Sequence, residues 1–382
     1  VKVLFASHLF PNPAEPLKGV FVAKLAEAMA AHAAVEVLAP VTWLPGLRAA
    51  SEIPPRRTEA GVTVWHPRRW ATPGPLRSLR VRAYLQALRS IGQDLSGPWQ
   101  AIHSHWIDPD ACAMNNWPAN RGALRVATVH GHAAIGLGIG AIDSAPIRPA
   151  LRKLDRIVAV SSELKAILVN DFGIAPEKIA VIFNGIDPAQ FFLQDRELAR
   201  RQLGLPQNRR ILLVVARLSP EKNLGALLEA VASLPDRDFH LHLAGTGPLE
   251  KTLRESAARL RLGNRVSFEG GVRHHELPLW FAAADLFCLS SHHEGCPVVV
   301  HEALACGTPV ISTRVGAVPD LLNDSTGLLC EPSDSAALAD ALARGWERKW
   351  DRAAIAAEGR RHTWDAVARQ TLELYHEAGA GN

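Results

Sequence analysis

Short apolar runs closed by polar or glycine residues alternate with helix-patterned segments, and this rhythm constrains the fold more than any single motif. "VKVLFAS" reads as a strand, "GVFVAKLAEAMAAH" as an amphipathic helix and "VEVLAP" as the next strand. "AIHSHW", "RVATVHG", "LDRIVAVS" and "IAVIFNGID" continue the series, which predicts a mostly parallel sheet with crossover helices. The series ends near Asn184-Gly185-Ile186-Asp187 and restarts with "ILLVVARLS", "FHLHLAGTG", "RVSFEGG", "ADLFCLS" and "TPVIST". The economical reading is α/β, two Rossmann-like doubly wound domains in tandem. The first spans 1–187, with a helix over about 362–382 packing back on it, and the second spans 188–361. In such sheets ligands sit at the carboxyl ends of the strands, and two such ends can face each other across a central cleft.

The 382 residues suffice for two cores, and 48% apolar with 21% charged content is ordinary for a globular chain. No run of 18 apolar residues is present, so no membrane span is expected. "VKVLFASHLF" is strand-like and too short for a signal h-region. Cys112, Cys288, Cys296, Cys306 and Cys330 are odd in number and scattered, which predicts free thiols in a reducing, cytoplasmic setting. The net charge of +4 is unevenly spread. Nine arginines against two glutamates lie between Arg48 and Arg89, an excess of +7, with Trp43, Trp65 and Trp70 in or beside them. Such a stretch suits an anionic membrane surface or a phosphate, or is a solvated loop and helix face; no nucleic-acid motif accompanies it.

Polar residues at the strand ends carry the chemistry. In "VVARLSPEKNLGALLEA", Arg217 and Lys222 fall in a strand-to-helix turn, where together they can hold a diphosphate. In "LAGTGPLEKTL", Gly245 and Gly247 would let the backbone approach a ligand ahead of a helix. Neither G-x-G-x-x-G after the first strand nor G-x-x-x-x-G-K-[ST] occurs, so ordinary dinucleotide and P-loop readings lose ground. "SHHEGCPVVVHEALACGTPVIST" places Glu294 and Glu302 eight positions apart in a largely apolar setting. Pro297 suits a first helical position, leaving free N–H groups around Gly295, Cys296, Pro297 and Val298, Pro297 itself having none. Glu294 on the loop and Glu302 inside the helix could each accept from separate hydroxyls, such as those of a sugar and a ribose.

"EGCPVVVHE" resembles the E-x7-E segment of retaining GT-B glycosyltransferases of family 4, and "ARLSPEKN" resembles their Arg-x4-Lys diphosphate motif. "KGVFVAKLAEAM", "TVHG" and "FNGID" are similar to that family's first glycine loop, donor-side histidine and interdomain turn, so the resemblance spans the chain. "GVTVWHPRRWATPG" is similar to the subgroup that makes teichuronic or exopolysaccharide-type glycans. The resemblance implies that Arg217 and Lys222 neutralise the leaving nucleoside diphosphate. It implies that Glu302 binds the ribose, and Glu294 the 3- or 4-hydroxyl region of the transferred sugar. His130 would touch the sugar near its 6-position, Gly19 would let the first loop approach diphosphate and acceptor, and Arg273 would frame the nucleobase largely through backbone. The implied donor is a nucleotide-diphosphate sugar, most commonly of uridine, with guanosine the alternative. The implied acceptor is a glycan or a polyprenyl-diphosphate-linked molecule at the inner membrane face, near which the basic stretch over 48–90 would hold the enzyme.

The resemblance implies retention by front-face attack with no metal. Asp108-Pro109-Asp110 has the letters of a metal motif, but in the domain expected to hold acceptor, and the two cations can supply a metal's charge. Three departures from the family stand out: Ala216 before the arginine, His132-Ala133 after the histidine-glycine pair, and the glycine-rich "HAAIGLGIGAID", which reads as a loop over the site. A nucleotide-sugar epimerase of the same fold and a two-lobed sugar-binding protein are the rival classes. An epimerase would need no acceptor.

Overall fold

The computed structural model describes residues 1–43, 52–72, 79–91, 94–95, 97–118, 122–136, 147–234 and 238–380. Two compact units emerge, Val1–Gly185 with Trp364–Asn382, and Ile186–Thr363.

The first unit is built on a sheet of β1 (Lys2–Ala6), β2 (Ala34–Leu38), β4 (Arg56–Glu59), β5 (Val62–Trp65), β7 (Ala101–Ser104), β8 (Leu124–Val129), β9 (Arg156–Ala159) and β10 (Ile179–Val181). Its strand order is β10-β9-β8-β7-β1-β2-β5-β4, parallel except for the β4–β5 hairpin. Strand geometry sends alternate side chains to opposite faces. Val3 and Phe5 accordingly join the core beneath the helices Val20–Ala30 and Trp364–Ala380. Leu4 and Ala6 join the opposite core with Tyr84, Leu88, Trp99 and Trp117. Val22, Leu25, Ala26 and Met29 are the buried residues of the first helix, one face at the spacing a helix of 3.6 residues per turn requires. Truncating a side chain as buried as Phe5 would cost about 3–5 kcal/mol.

The second unit pairs β11 (Arg210–Val215), β12 (Phe239–Ala244), β13 (Val266–Gly270), β14 (Leu286–Leu289), β15 (Val310–Thr313) and β16 (Gly327–Cys330), all parallel, in the order β13-β12-β11-β14-β15-β16. Leu224, Leu227, Leu228 and Val231 pin the helix Leu224–Ser233 against this sheet. All five cysteines are buried free thiols.

The structure adds strands to the sequence rhythm: β16, the β4–β5 hairpin, and a two-stranded ribbon of β3 (Val41–Trp43) and β6 (Arg68–Trp70). The ribbon and hairpin revise the reading of the basic stretch. Arg57 donates to the Pro11 carbonyl and pairs with Glu59, and Arg68 donates to the Ile53 carbonyl. Arg80 does not reach outward: its Nε donates to Asp108 Oδ1 at 2.7 Å from a mostly buried position. The helix expected from about Pro75 is observed over Arg80–Arg89, with residues 73–78 outside the described residues. Leu79, Arg82, Gln86 and Arg89 are exposed, whereas Arg48 and Arg77 lie outside the described residues.

Candidate functional site

In the second unit the strand order reverses between β11 and β14, the place where open α/β sheets leave a crevice for a ligand. The loops leaving those two strands carry the charge. Arg217 is exposed just past β11. A short turn over Pro220–Lys222 follows, and Asn223, in the left-handed region at φ 50°, opens the helix Leu224–Ser233. Lys222 Nζ donates to Glu294 Oε1 at 2.7 Å, and the Ser291 hydroxyl donates to the same oxygen at 2.6 Å. The Ser290 hydroxyl donates to the Lys222 carbonyl at 2.8 Å, and the His292 amide to the Glu221 carbonyl at 2.9 Å, so the two loops are stitched together. Burial pushes the Glu221 carboxyl up. A hydrogen bond from the Ser219 hydroxyl, one from its own amide and the charges of Lys222 and Arg217 outweigh this and hold it below its ordinary value.

Glu294 leads through Gly295 and Cys296 to the helix Val298–Ala305. Pro297 is not the first helical residue: with φ −71° and ψ 109° it is the residue before the helix, and no side chain caps it. The Val298 and Val299 N–H groups open the helix with no carbonyl behind them, whereas that of Val300 donates to the Pro297 carbonyl at 3.0 Å. Cys296 is buried with Sγ 3.3 Å from His301 Nε2, so its side chain is spent in the core and only its backbone could serve a ligand. Gly316, at φ 54°, sits under this turn; a Cβ there would lie 2.4 Å from the Gly295 carbonyl oxygen.

Glu302 is 2% exposed, its Oε1 bonded to His274 Nε2 at 2.7 Å and its Oε2 without a hydrogen-bond partner. A buried carboxylate oxygen left bare is costly, and such an exception asks for a ligand. Arg273 turns away from this carboxylate: its guanidinium is exposed and pairs with Glu276 at 2.6 Å. The inward-facing residue of that loop is His274, which the sequence reading passed over. Gly245 and Gly247 have a local reason that the sequence did not show. A Cβ at Gly245 would fall 1.9 Å from the Ala216 carbonyl oxygen, and one at Gly247 2.4 Å from that of Leu218. Their observed reason is backbone against backbone, locking the β11 and β12 loops together.

In the first unit the order reverses between β1 and β7. Gly19, at φ 65°, is explained locally, since a Cβ would meet the Leu9 carbonyl oxygen at 2.1 Å. His8 Nδ1 meets Asp110 Oδ2 at 2.6 Å across the reversal, while Asp108 is taken by Arg80. Both aspartates thus have basic partners. His103, His105 and His130 stack in a column, with centroids 4.5 and 5.5 Å apart. His103 bonds Tyr375 and Thr128, and His105 Nδ1 lies 3.2 Å from His130 Nε2. Burial, with the charge of His130 second, pushes His103 down to about 3, and burial alone does the same to His130. His130 Nδ1 is shielded from solvent and unbonded, another polar atom awaiting a partner. Of the segment "HAAIGLGIGAID", only His132 to Gly136 are described.

The chain is similar to known proteins. The family model of glycosyltransferase family 4 matches residues 19–190, and that of glycosyl transferases group 1 matches 195–362. A D-inositol 3-phosphate glycosyltransferase of Nocardioides sp. is 32% identical over 330 residues, 77% of this chain and 71% of that protein. One of the same name from Streptomyces scabiei is 32% identical, with 74% and 69% covered. Among solved structures, sucrose-phosphate synthase from Thermosynechococcus elongatus has a TM-score of 0.80 at 22% identity with both chains covered in full. Anabaena HepE in complex with UDP has a TM-score of 0.73 at 23% identity, covering 99% of this chain and 100% of that one. The chain belongs to the group 1, family 4 glycosyltransferases and is an enzyme of the GT-B fold.

Proposed function

We propose that the enzyme moves a hexose from a nucleoside-diphosphate sugar to an acceptor hydroxyl, with retention of configuration and without a metal ion. The observation that carries this is the Lys222–Glu294 bridge across the strand reversal, on the loop that leads into the helix carrying the bare, buried Oε2 of Glu302. A diphosphate between Arg217, Lys222 and the opening N–H groups of the helix Val298–Ala305 would gain charge as the glycosidic bond breaks, and those donors would strengthen with it. Glu294, with one oxygen already accepting from Lys222 and Ser291, is tied in place as an acceptor for sugar hydroxyls and makes a poor nucleophile. Retention then proceeds on one face, the departing phosphate oxygen taking the acceptor's proton. His130, neutral across physiological pH, would offer the sugar a hydrogen bond without a charge.

The acceptor we favour is a glycan or a polyprenyl-diphosphate-linked molecule of cell-surface polysaccharide synthesis, reached by a cytoplasmic enzyme at the inner membrane face. The names of the relatives support a second reading, a small phosphorylated polyol such as inositol phosphate. Incubation with UDP- and GDP-hexoses tests both. Nucleoside diphosphate should appear only when acceptor is present, in EDTA, with the donor's anomeric configuration kept in the product by NMR. Epimerised donor without acceptor, or a requirement for Mg²⁺ or Mn²⁺, would overturn the proposal.

A further inference from the structure

We infer that Gln190 and His274 form a positioning relay that holds Glu302 for the ribose hydroxyls of the donor nucleotide, an inference that rests on the donor site proposed above. Gln190 Nε2 lies 3.0 Å from the His274 carbonyl oxygen and 3.2 Å from His274 Nδ1. The first contact fixes the amide, because a flipped amide would set oxygen against oxygen. An amide nitrogen only donates, so His274 Nδ1 must accept. The imidazole is then neutral, with its proton on Nε2, 2.7 Å from Glu302 Oε1. The ring is also steadied by Phe191, centroid to centroid 5.2 Å.

One carboxylate oxygen is thereby anchored with a lone pair to spare, and the other, Oε2, is buried and bare. Two adjacent acceptor oxygens, one of them pre-oriented, match the vicinal hydroxyls of a ribose. Without His274 the Glu302 side chain could rotate about its terminal torsions, and the pair of oxygens would lose its aim. His274 touches no substrate in this scheme; it acts through Glu302. Its side chain is 48% exposed at a short turn, so replacing it should leave the core intact.

Binding of the better of UDP and GDP, measured by calorimetry against its 2′-deoxy form, tests the relay. The wild-type protein should prefer the ribonucleotide by about tenfold or more, the loss of one hydrogen bond to a charged group. His274→Leu should bring that ratio close to one and raise the donor KM while leaving kcat within about twofold, with an unchanged melting temperature confirming a folded protein. His274→Gln, whose amide can still donate to Oε1, should restore the ratio, and Gln190→Leu should lower it partway. A wild-type ratio retained in His274→Leu overturns the relay alone. A wild-type protein with no preference overturns the ribose role of Glu302 and the relay with it.

Discussion

Each unit bridges its own strand reversal with a basic side chain bonded to a carboxylate, yet the two are differently equipped. In the second unit the pair is Lys222–Glu294, beside an exposed arginine and a buried carboxylate with a bare oxygen. In the first it is His8–Asp110, and the nearby Asp108 is already neutralised by Arg80. Beyond them stands a column of neutral imidazoles, closed at one end by Tyr375. The second unit therefore presents an exposed arginine and a carboxylate with a bare oxygen, and the first presents neutral imidazoles beside aspartates that already have basic partners. The former arrangement is suited to an ionic leaving group, the latter to hydroxyl groups.

Removing a charge from the second unit should produce the largest effect. Lys222→Ala withdraws a contact that strengthens as the diphosphate gains charge, so kcat should fall about 10²-fold and donor affinity much less. Steady-state kinetics with the donor varied reads both, and unchanged turnover in the folded variant would remove the cation from the mechanism.

Acid should distinguish the units next. His103 is depressed to about 3 against an ordinary 6.5, so the unfolded chain takes up its proton first. The stability that comes from keeping it neutral is complete above about pH 6.5 and drains away as pH falls toward 3. His105 and His130 are shifted the same way, and among the described residues of the second unit burial pushes His301 to about 3 and His240 to about 4 without gathering them into one column. Between pH 7 and pH 5, His103 alone accounts for about 2 kcal/mol. Amide exchange followed along the chain should show the first unit loosening before the second; the reverse order would contradict the burial of the column.

The smallest effect concerns the basic stretch. Arg57, Arg68 and Arg80 are spent on carbonyls and carboxylates, which leaves Arg82 and Arg89 as exposed cations of the helix Arg80–Arg89. Each would contribute about 1 kcal/mol at an anionic leaflet. Sedimentation with anionic vesicles should weaken with salt and drop when both become glutamine, while equal recovery on neutral vesicles would exclude electrostatic attachment.

The sequence made some of this legible and hid the rest for physical reasons. A long buried strand such as "ILLVVA" announces itself because a parallel strand covered on both faces is apolar throughout. Lys222, Glu294 and Glu302 stood out because strand ends and helix starts fix roughly where those side chains emerge, but that Lys222 bonds Glu294 was not legible. The β3–β6 ribbon has three residues a side, too short for any period, and its pairing is purely tertiary. His274 was missed because its meaning depends on a loop folding over the helix Val298–Ala305, with Gln190 behind it. The glycines carry a further reason that the sequence did not name: 19, 245 and 247 are demanded by neighbouring carbonyls, a close approach that a glycine in sequence signals without naming its partner.

Amide hydrogen exchange with and without UDP or GDP tests the contrast between the units most directly. Bound nucleoside diphosphate should protect residues 217–223 and 294–302 of the second unit, and Lys222→Ala should weaken the protection at both segments. At 100 times its dissociation constant the nucleotide should also stabilise the protein by about 2.7 kcal/mol. Protection confined to the strand ends of the first unit, around His8, His105 and His130, would contradict the assignment of charge to the donor side, as would no protection by either nucleotide.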